Sequence, residues 1–308
     1  MQKSDFAGVM PAITTKMTAT EDVDLEDVAR DVSFQIDAGV DAVIVCGSLG
    51  EASTLIAAEK LDVLAAALDA SAGRKPVLLT IAEDSTRAAV DLALRASDAG
   101  AAGLMVLPAM RYLAEPRETI AHFRAVAAAS GLPVIVYNNP VAYGIDVTPA
   151  MLAELAPCET LVAVKESSAD VRRITDILNT VGDRYRHLTG VDDLALESLV
   201  LGCDGWIAGL CAAFPEETVA IYRLARVGRI GEALEIYRWF MPLLHLDISP
   251  RFFQYIKLVE AIVRGTSPVV RAPRLALDDD EERRIRGLVS HALESRIDLR
   301  RYGPIPPA

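Results

Sequence analysis

Eight short stretches, seven of them nearly unbroken runs of apolar residues, recur along the chain, separated by amphipathic segments. They are GVMPAITT (8–15), AVIVCG (42–47), PVLLTIA (76–82), GLMVLP (103–108), PVIVYN (133–138), LVAVKES (161–167), YRHLTGVDD (185–193) and DGWIAGL (204–210). Their onsets lie roughly 25–35 residues apart, the length of one strand-loop-helix-loop unit. Continuous rather than alternating hydrophobicity marks parallel strands covered on both faces, and YRHLTGVDD is the weakest of the set. The intervening segments carry the helical period. Leu25, Val28, Val32 and Ile36 share one face, with Asp24, Glu26, Asp27 and Arg30 elsewhere. Gly39 and Gly100 stand where a helix end gives way to the next strand. Eight such units predict a (β/α)8 TIM barrel over residues 1–228. A doubly wound sheet is the alternative, but its GxGxxG turn does not occur here.

From residue 229 to 308 the pattern changes to three helical segments with no strands between them, a C-terminal three-helix extension. The last has Asp278 as an N-cap, with Glu281 three residues on. The proline-rich end, RYGPIPPA, is expected to be unordered at its tip.

Charge and composition narrow the function. The chain has 31 Lys and Arg against 43 Asp and Glu, a net charge of −12, which excludes a phosphate-neutralising surface for nucleic acid. No apolar run approaches the ~20 residues of a membrane span, and MQKSDFAGVM lacks a signal-peptide core, so a cytoplasmic protein is expected. Four cysteines and four histidines are scattered singly without ligand spacing, so no metal site is expected.

In a barrel of this kind the chemistry belongs at the carboxyl ends of the strands. Lys165 ends one apolar run, where desolvation lowers an ammonium's pKa and frees a nucleophilic amine. By strand parity Ala163 faces the same way and leaves room beside it. Tyr137 ends the neighbouring run, and its phenol can relay protons. The loop Gly47-Ser48-Leu49-Gly50-Glu51 offers amides and a hydroxyl suited to a carboxylate, with Ser48 in reach of Tyr137. Taken singly, each of these reads first as an ordinary structural residue. Together they describe a Schiff-base lysine, a proton relay and a cradle for a 2-oxo acid, with the covalent imine on Lys165 in place of a cofactor.

GVMPAITT, CGSLGE, AAGLMVLP, VIVYNNP, VAVKESS and GVDD, in this order and spacing, make the chain resemble the dihydrodipicolinate synthase/N-acetylneuraminate lyase family. The resemblance implies Lys165 as the Schiff-base former, Tyr137 as the proton relay and Ser48 as the link to the substrate carboxylate. It also implies Tyr112 as a residue inserted into a neighbouring subunit's site, and a homotetramer. Two departures stand out. Leu49 replaces the second hydroxyl of the synthase's GTTGE and the lyase's GSTGE loops. Ala142 replaces the arginine that grips a second substrate carboxylate in the synthase. VCGSLGEAST, DVTPAM, VRRITDI and IYRWFMPLLHLDIS look most like the 1-pyrroline-4-hydroxy-2-carboxylate deaminases of hydroxyproline catabolism. That likeness implies deamination with dehydration to 2-oxoglutarate semialdehyde and ammonia. With Gly47, Ser48, Leu49 and Ala208 as substrate contacts, the pocket is expected to be small and rather apolar. An aldolase or dehydratase of a 2-keto-3-deoxy sugar acid is the competing enzyme, and a non-catalytic 2-oxo acid sensor the competing class.

Overall fold

The structure, a computed structural model, describes residues 1–109 and 112–306. Eight parallel strands form one sheet, and each lies inside one of the apolar runs: β1 (Gly8–Val9), β2 (Val43–Val45), β3 (Val77–Ile81), β4 (Gly103–Val106), β5 (Val134–Asn138), β6 (Leu161–Glu166), β7 (Arg186–Thr189) and β8 (Gly205–Trp206). Their order around the sheet is β1-β8-β7-β6-β5-β4-β3-β2. The ring closes between the ends of that list. Ala12 bridges Ile44, Ile13 N donates to Ile44 O at 3.0 Å, and Ile44 N donates to Pro11 O at 2.9 Å. The fold is the (β/α)8 barrel that the periodicity predicts.

Strand parity explains why the runs are unbroken. One set of side chains, including Met10, Ile44, Leu78, Met105, Ile135, Leu188 and Ile207, fills the barrel interior. The alternate set, including Val43, Val45, Leu79, Val134, Val136 and Val164, packs outward against the helices. Both environments are dry, so both sets are apolar. The weak run carries β7, where Arg186 meets its need for a partner at Asp204, 2.7 Å away.

The helix Leu25–Asp37 departs from the expected face at two places. Val28, Val32 and Ile36 are buried, but Leu25 is 38% exposed, while Asp27 and Asp31 are buried. Asp31 Oδ2 lies 3.1 Å from the buried Lys16 ammonium as an ion pair, and Asp31 also pairs with Arg264. A buried carboxylate is tolerated when cations meet it in this way.

Beyond the barrel lie the helices Ile230–Leu244, Phe252–Arg264 and Asp279–Glu294. The third is capped as expected, Asp278 Oδ1 accepting from Glu281 N at 2.9 Å. The second sends Lys257 into a fully buried ion pair with Glu51, whose other oxygen accepts from Arg271 N at 3.0 Å. Glu51 itself has a left-handed backbone, φ 57°, so these contacts hold the end of the GSLGE loop in an uncommon conformation. Among the described residues no helix is long and apolar enough to cross a membrane. The tip of the proline-rich tail, 307–308, lies outside the described residues.

Candidate active site

Tyr137 and Lys165 are register partners on β5 and β6, so adjacent strands deliver them side by side. Lys165 Nζ lies 4.1 Å from the centre of the Tyr137 ring. Ala163 lines the same interior and leaves the space that strand parity requires. Glu166, one residue on, faces elsewhere and accepts from Asn138 Nδ2 at 3.0 Å and Ser168 N at 2.6 Å. The lysine is therefore not neutralised by its sequence neighbour. Burial pulls its pKa from 10.5 down to about 8, against the opposing pull of Asp247 and then Asp192.

Both residues open onto a cavity of about 490 Å³ at the carboxyl end of the barrel. Its floor comes from the strand ends and its roof from 247–253, the turn between two helices of the extension and the first two residues of the second helix. Among the described lining residues Lys165 is the one cation and Asp247 the one anion. The roof is largely apolar, with Ile248, Pro250, Phe252 and Phe253. Asp247 keeps an intermediate exposure because it borders the cavity, yet protein crowds it closely. Burial, then the neighbouring Asp192 charge, push its carboxyl well above the usual range.

The turn after β5 sets the Tyr137 hydroxyl. Asn139 Oδ1 caps the single helical turn Pro140–Tyr143 by accepting from Ala142 N at 3.0 Å. Its Nδ2 donates to the Tyr137 hydroxyl at 3.1 Å. One amide thus ends the strand, starts the turn and steadies the phenol. The turn then presents Tyr143, whose hydroxyl is hydrogen-bonded to Ser48 Oγ, and the two tyrosine rings meet edge to face with centres 6.2 Å apart. Burial raises the Tyr137 pKa, Asn139 draws it back, Asp247 pushes it up again, and the Ser48 and Ser167 hydroxyls lower it. Ser48 therefore stands between two phenols, bonded to Tyr143 and close enough to Tyr137 to favour its ionised form.

The remaining expected residues divide. Leu49 lines the cavity. Ala208 is buried in the outer core, and its neighbours Ile207 and Gly209 line the cavity instead, because alternate strand residues face opposite ways. Gly47 is also buried behind the lining, beside Thr80, Met105 and Ala12. Ala142 borders the cavity where a cation was expected to be missing. Tyr112 is 57% exposed and outside the lining; its neighbour Leu113 lies against Gly144. Arg111 lies outside the described residues. Asn139, Tyr143 and Asp247 were not among the residues singled out from sequence. The NNP turn was the available signal for the first two. Among the described residues no group of three His, Cys, Asp or Glu could hold a metal ion.

A sequence profile of the dihydrodipicolinate synthetase family matches residues 5–292. A 4-hydroxy-tetrahydrodipicolinate synthase of Caldicellulosiruptor bescii is 33% identical over 250 residues, 80% of this chain and 84% of that protein. One from Methanothrix thermoacetophila is 29% identical over 302 residues, 96% of this chain and all of that one. Among solved structures, dihydrodipicolinate synthase from Aquifex aeolicus superposes with a TM-score of 0.89 at 28% identity, covering 93% of this chain and 98% of that one. A prophage protein of the dihydrodipicolinic acid synthase family from E. coli K12, solved with pyruvate, gives 0.88 at 27% identity, covering 94% and 99%.

Proposed function

Because the chain belongs to the dihydrodipicolinate synthetase family, whose enzymes act on small 2-oxo acids through a covalent lysine Schiff base without a metal, we propose that Lys165 is that lysine here and that its substrate is 1-pyrroline-4-hydroxy-2-carboxylate. The observation that carries the reading is the cavity's charge pattern. A lysine with a pKa of about 8 sits at its floor, and no second cation lines it among the described residues. At pH 7 a fall from 10.5 to about 8 multiplies the free amine by about 300-fold. A substrate with a single carboxylate needs no second cation. Leu49, Ala142 and the phenylalanines of the roof suit a small, mostly apolar ring.

In this reaction Lys165 Nζ bonds to C2 of the ring imine, and the C2–N bond breaks, leaving the ring nitrogen as an amine on C5. The C3 proton leaves, its electrons form the enamine, and the C4 hydroxyl departs as water. Tautomerisation gives an imine at C5. One water there releases ammonia, and a second at C2 frees Lys165 and 2-oxoglutarate semialdehyde, so one water is consumed net. Tyr137, ringed by Asn139, Ser48 and Ser167, carries protons at C2 and C3. Ser48 and the GSLGE amides hold the carboxylate. Tyr112 and Leu113, exposed beside the turn that bears Tyr143, support a homotetramer in which Tyr112 reaches a neighbouring subunit.

The names of the curated relatives favour a second reading, condensation of pyruvate with aspartate semialdehyde. That reaction brings a second carboxylate, for which Ala142 offers no charge. A keto-deoxy sugar acid would need hydroxyl partners along its chain, and the roof offers only Asp247 and Ser249 among Ile248, Pro250, Phe252 and Phe253. The test is ammonia release from 1-pyrroline-4-hydroxy-2-carboxylate, with borohydride trapping of the Lys165 peptide. Robust synthase turnover without ammonia release would replace the deaminase with its better-known relative, and trapping without turnover of any acid would leave a sensor.

A further inference from the structure

Asp247 and Asp192 flank the lysine, but they are held differently. Asp192 is saturated from within: its carboxylate accepts from Trp206 Nε1 at 2.8 Å, Leu210 N at 2.7 Å and Gly209 N at 3.1 Å. Asp247 instead borders the cavity, and its admission depends on Gly209. A Cβ at that position would lie 2.6 Å from Asp247 Oδ1. The neighbouring β8 turn is thus shaped to let a carboxylate stand over the floor.

Two neighbouring carboxylates in a dry site are both ionised only with a cation between them. In the free protein Lys165 can supply it. Once the lysine is bonded to substrate and its imine passes to the neutral enamine, that cation is lost. The proposed ring opening supplies a replacement at the right moment, because the nitrogen expelled from C2 becomes a basic amine on C5. Lys165, Tyr137 and Asp247 line one cavity, so a five-carbon substrate tethered at C2 keeps its far end within it.

We propose that Asp247 is the specificity residue of this site, binding the amino group set free on C5 and thereby selecting cyclic imino acids over plain 2-oxo acids. This rests on the imino-acid reading above. The experiment separates the two ideas by using 1-pyrroline-2-carboxylate, which can open on Lys165 but has no 4-hydroxyl to lose, and pyruvate, which has no nitrogen. Cyanoborohydride trapping rates on the Lys165 peptide are measured for both, in wild type and Asp247→Asn, with thermal melting of each preparation.

The wild-type ratio of pyrroline to pyruvate trapping should fall about 10- to 100-fold in Asp247→Asn, as expected for one charge-assisted hydrogen bond. Taking the ratio removes any change in the reactivity of Lys165 itself. An unchanged ratio in a folded variant, with wild type still trapping the pyrroline, overturns the role of Asp247 and leaves the imino-acid reading standing. Wild type that traps pyruvate but not the pyrroline overturns both. Should Asp247→Asn fail to fold, Asp247→Ser reads the same ratio.

Discussion

Gly190 follows β7 directly beneath the lysine, and replacing it with alanine tests whether the reach of Lys165 is set by the floor under it. A Cβ at 190 would stand 2.4 Å from Lys165 Cε, 2.8 Å from its Cγ and 2.2 Å from Ser167 Oγ. Ordinary carbon contacts are about 3.5–4.0 Å, so the lysine must withdraw by about 1 Å. The obstruction is by side chains, and Gly190 has no left-handed φ that alanine would resist. The fold should therefore survive with the cost of mild overpacking, about 1–3 kcal/mol. Catalysis should not, because a misplacement of about 1 Å can cost about 100-fold in rate. The assay is borohydride trapping with pyruvate, read as adduct mass on the Lys165 peptide, alongside urea unfolding. Ser167→Ala/Gly190→Ala relieves the serine clash and leaves the lysine clash, so it should trap as poorly as the single variant. A Gly190→Ala protein that traps at close to the wild-type rate would show that the floor does not position the amine. Recovery in the double variant would shift the effect to Ser167.

Imine formation should rise with pH until about 8 and then level, following the free Lys165 amine, and a profile still climbing past 10 would mean an unperturbed lysine. The same shift makes stability pH-dependent: the unfolded chain holds the Lys165 proton up to about 10.5 and the folded one only to about 8, so rising pH favours folding across that window by about 3 kcal/mol for this group. Lys165→Met should lack that slope when urea unfolding of the two proteins is compared between pH 8 and 10.5. Tyr143→Phe removes the hydroxyl bonded to Ser48 Oγ; if that hydroxyl extends the proton path from Tyr137, the variant should keep Lys165 trapping but lower turnover by about 100-fold, the low end for a positioned proton carrier, and unchanged ammonia release would reduce Tyr143 to packing. Lys257→Met removes the closest cation of the buried Glu51 carboxylate and should cost about 3 kcal/mol or more in urea unfolding; a loss below about 1 kcal/mol would show that the Arg271 N–H and the Arg274 guanidinium, 3.4 Å from Glu51 Oε2, suffice.

The strands were legible because a barrel makes both faces of each strand dry, leaving eight apolar runs in the sequence. Lys165 and Tyr137 were legible for the complementary reason, since each is a polar group closing such a run. What the pattern concealed depends on chain folded back from elsewhere. Asp27 was set apart from its helix's apolar face, yet it is buried, as is Asp31, which Lys16 and Arg264 come to meet. Ala208 was assigned to the pocket from its place at a strand end, and a one-residue difference in parity turned it outward. Asn139 and Tyr143 lie in a helical turn too short to leave a period. Asp247 sits in the extension, more than fifty residues after the last strand-end residue of the relay, and nothing local relates it to Lys165.

The roof over the lysine has an evolutionary consequence. Lys165 and Tyr137, the proposed bond-making groups, are fixed to strand ends by sheet register, whereas the shape and charge of the space above them come from 247–253, a turn and the first residues of the helix that follows. Exchanging that segment alters what fits without disturbing the amine or its phenol. Swapping the stretch between relatives of this fold should therefore transfer substrate preference while the imine chemistry stays in place. A lineage that began with one 2-oxo acid can reach another by drift in this single segment.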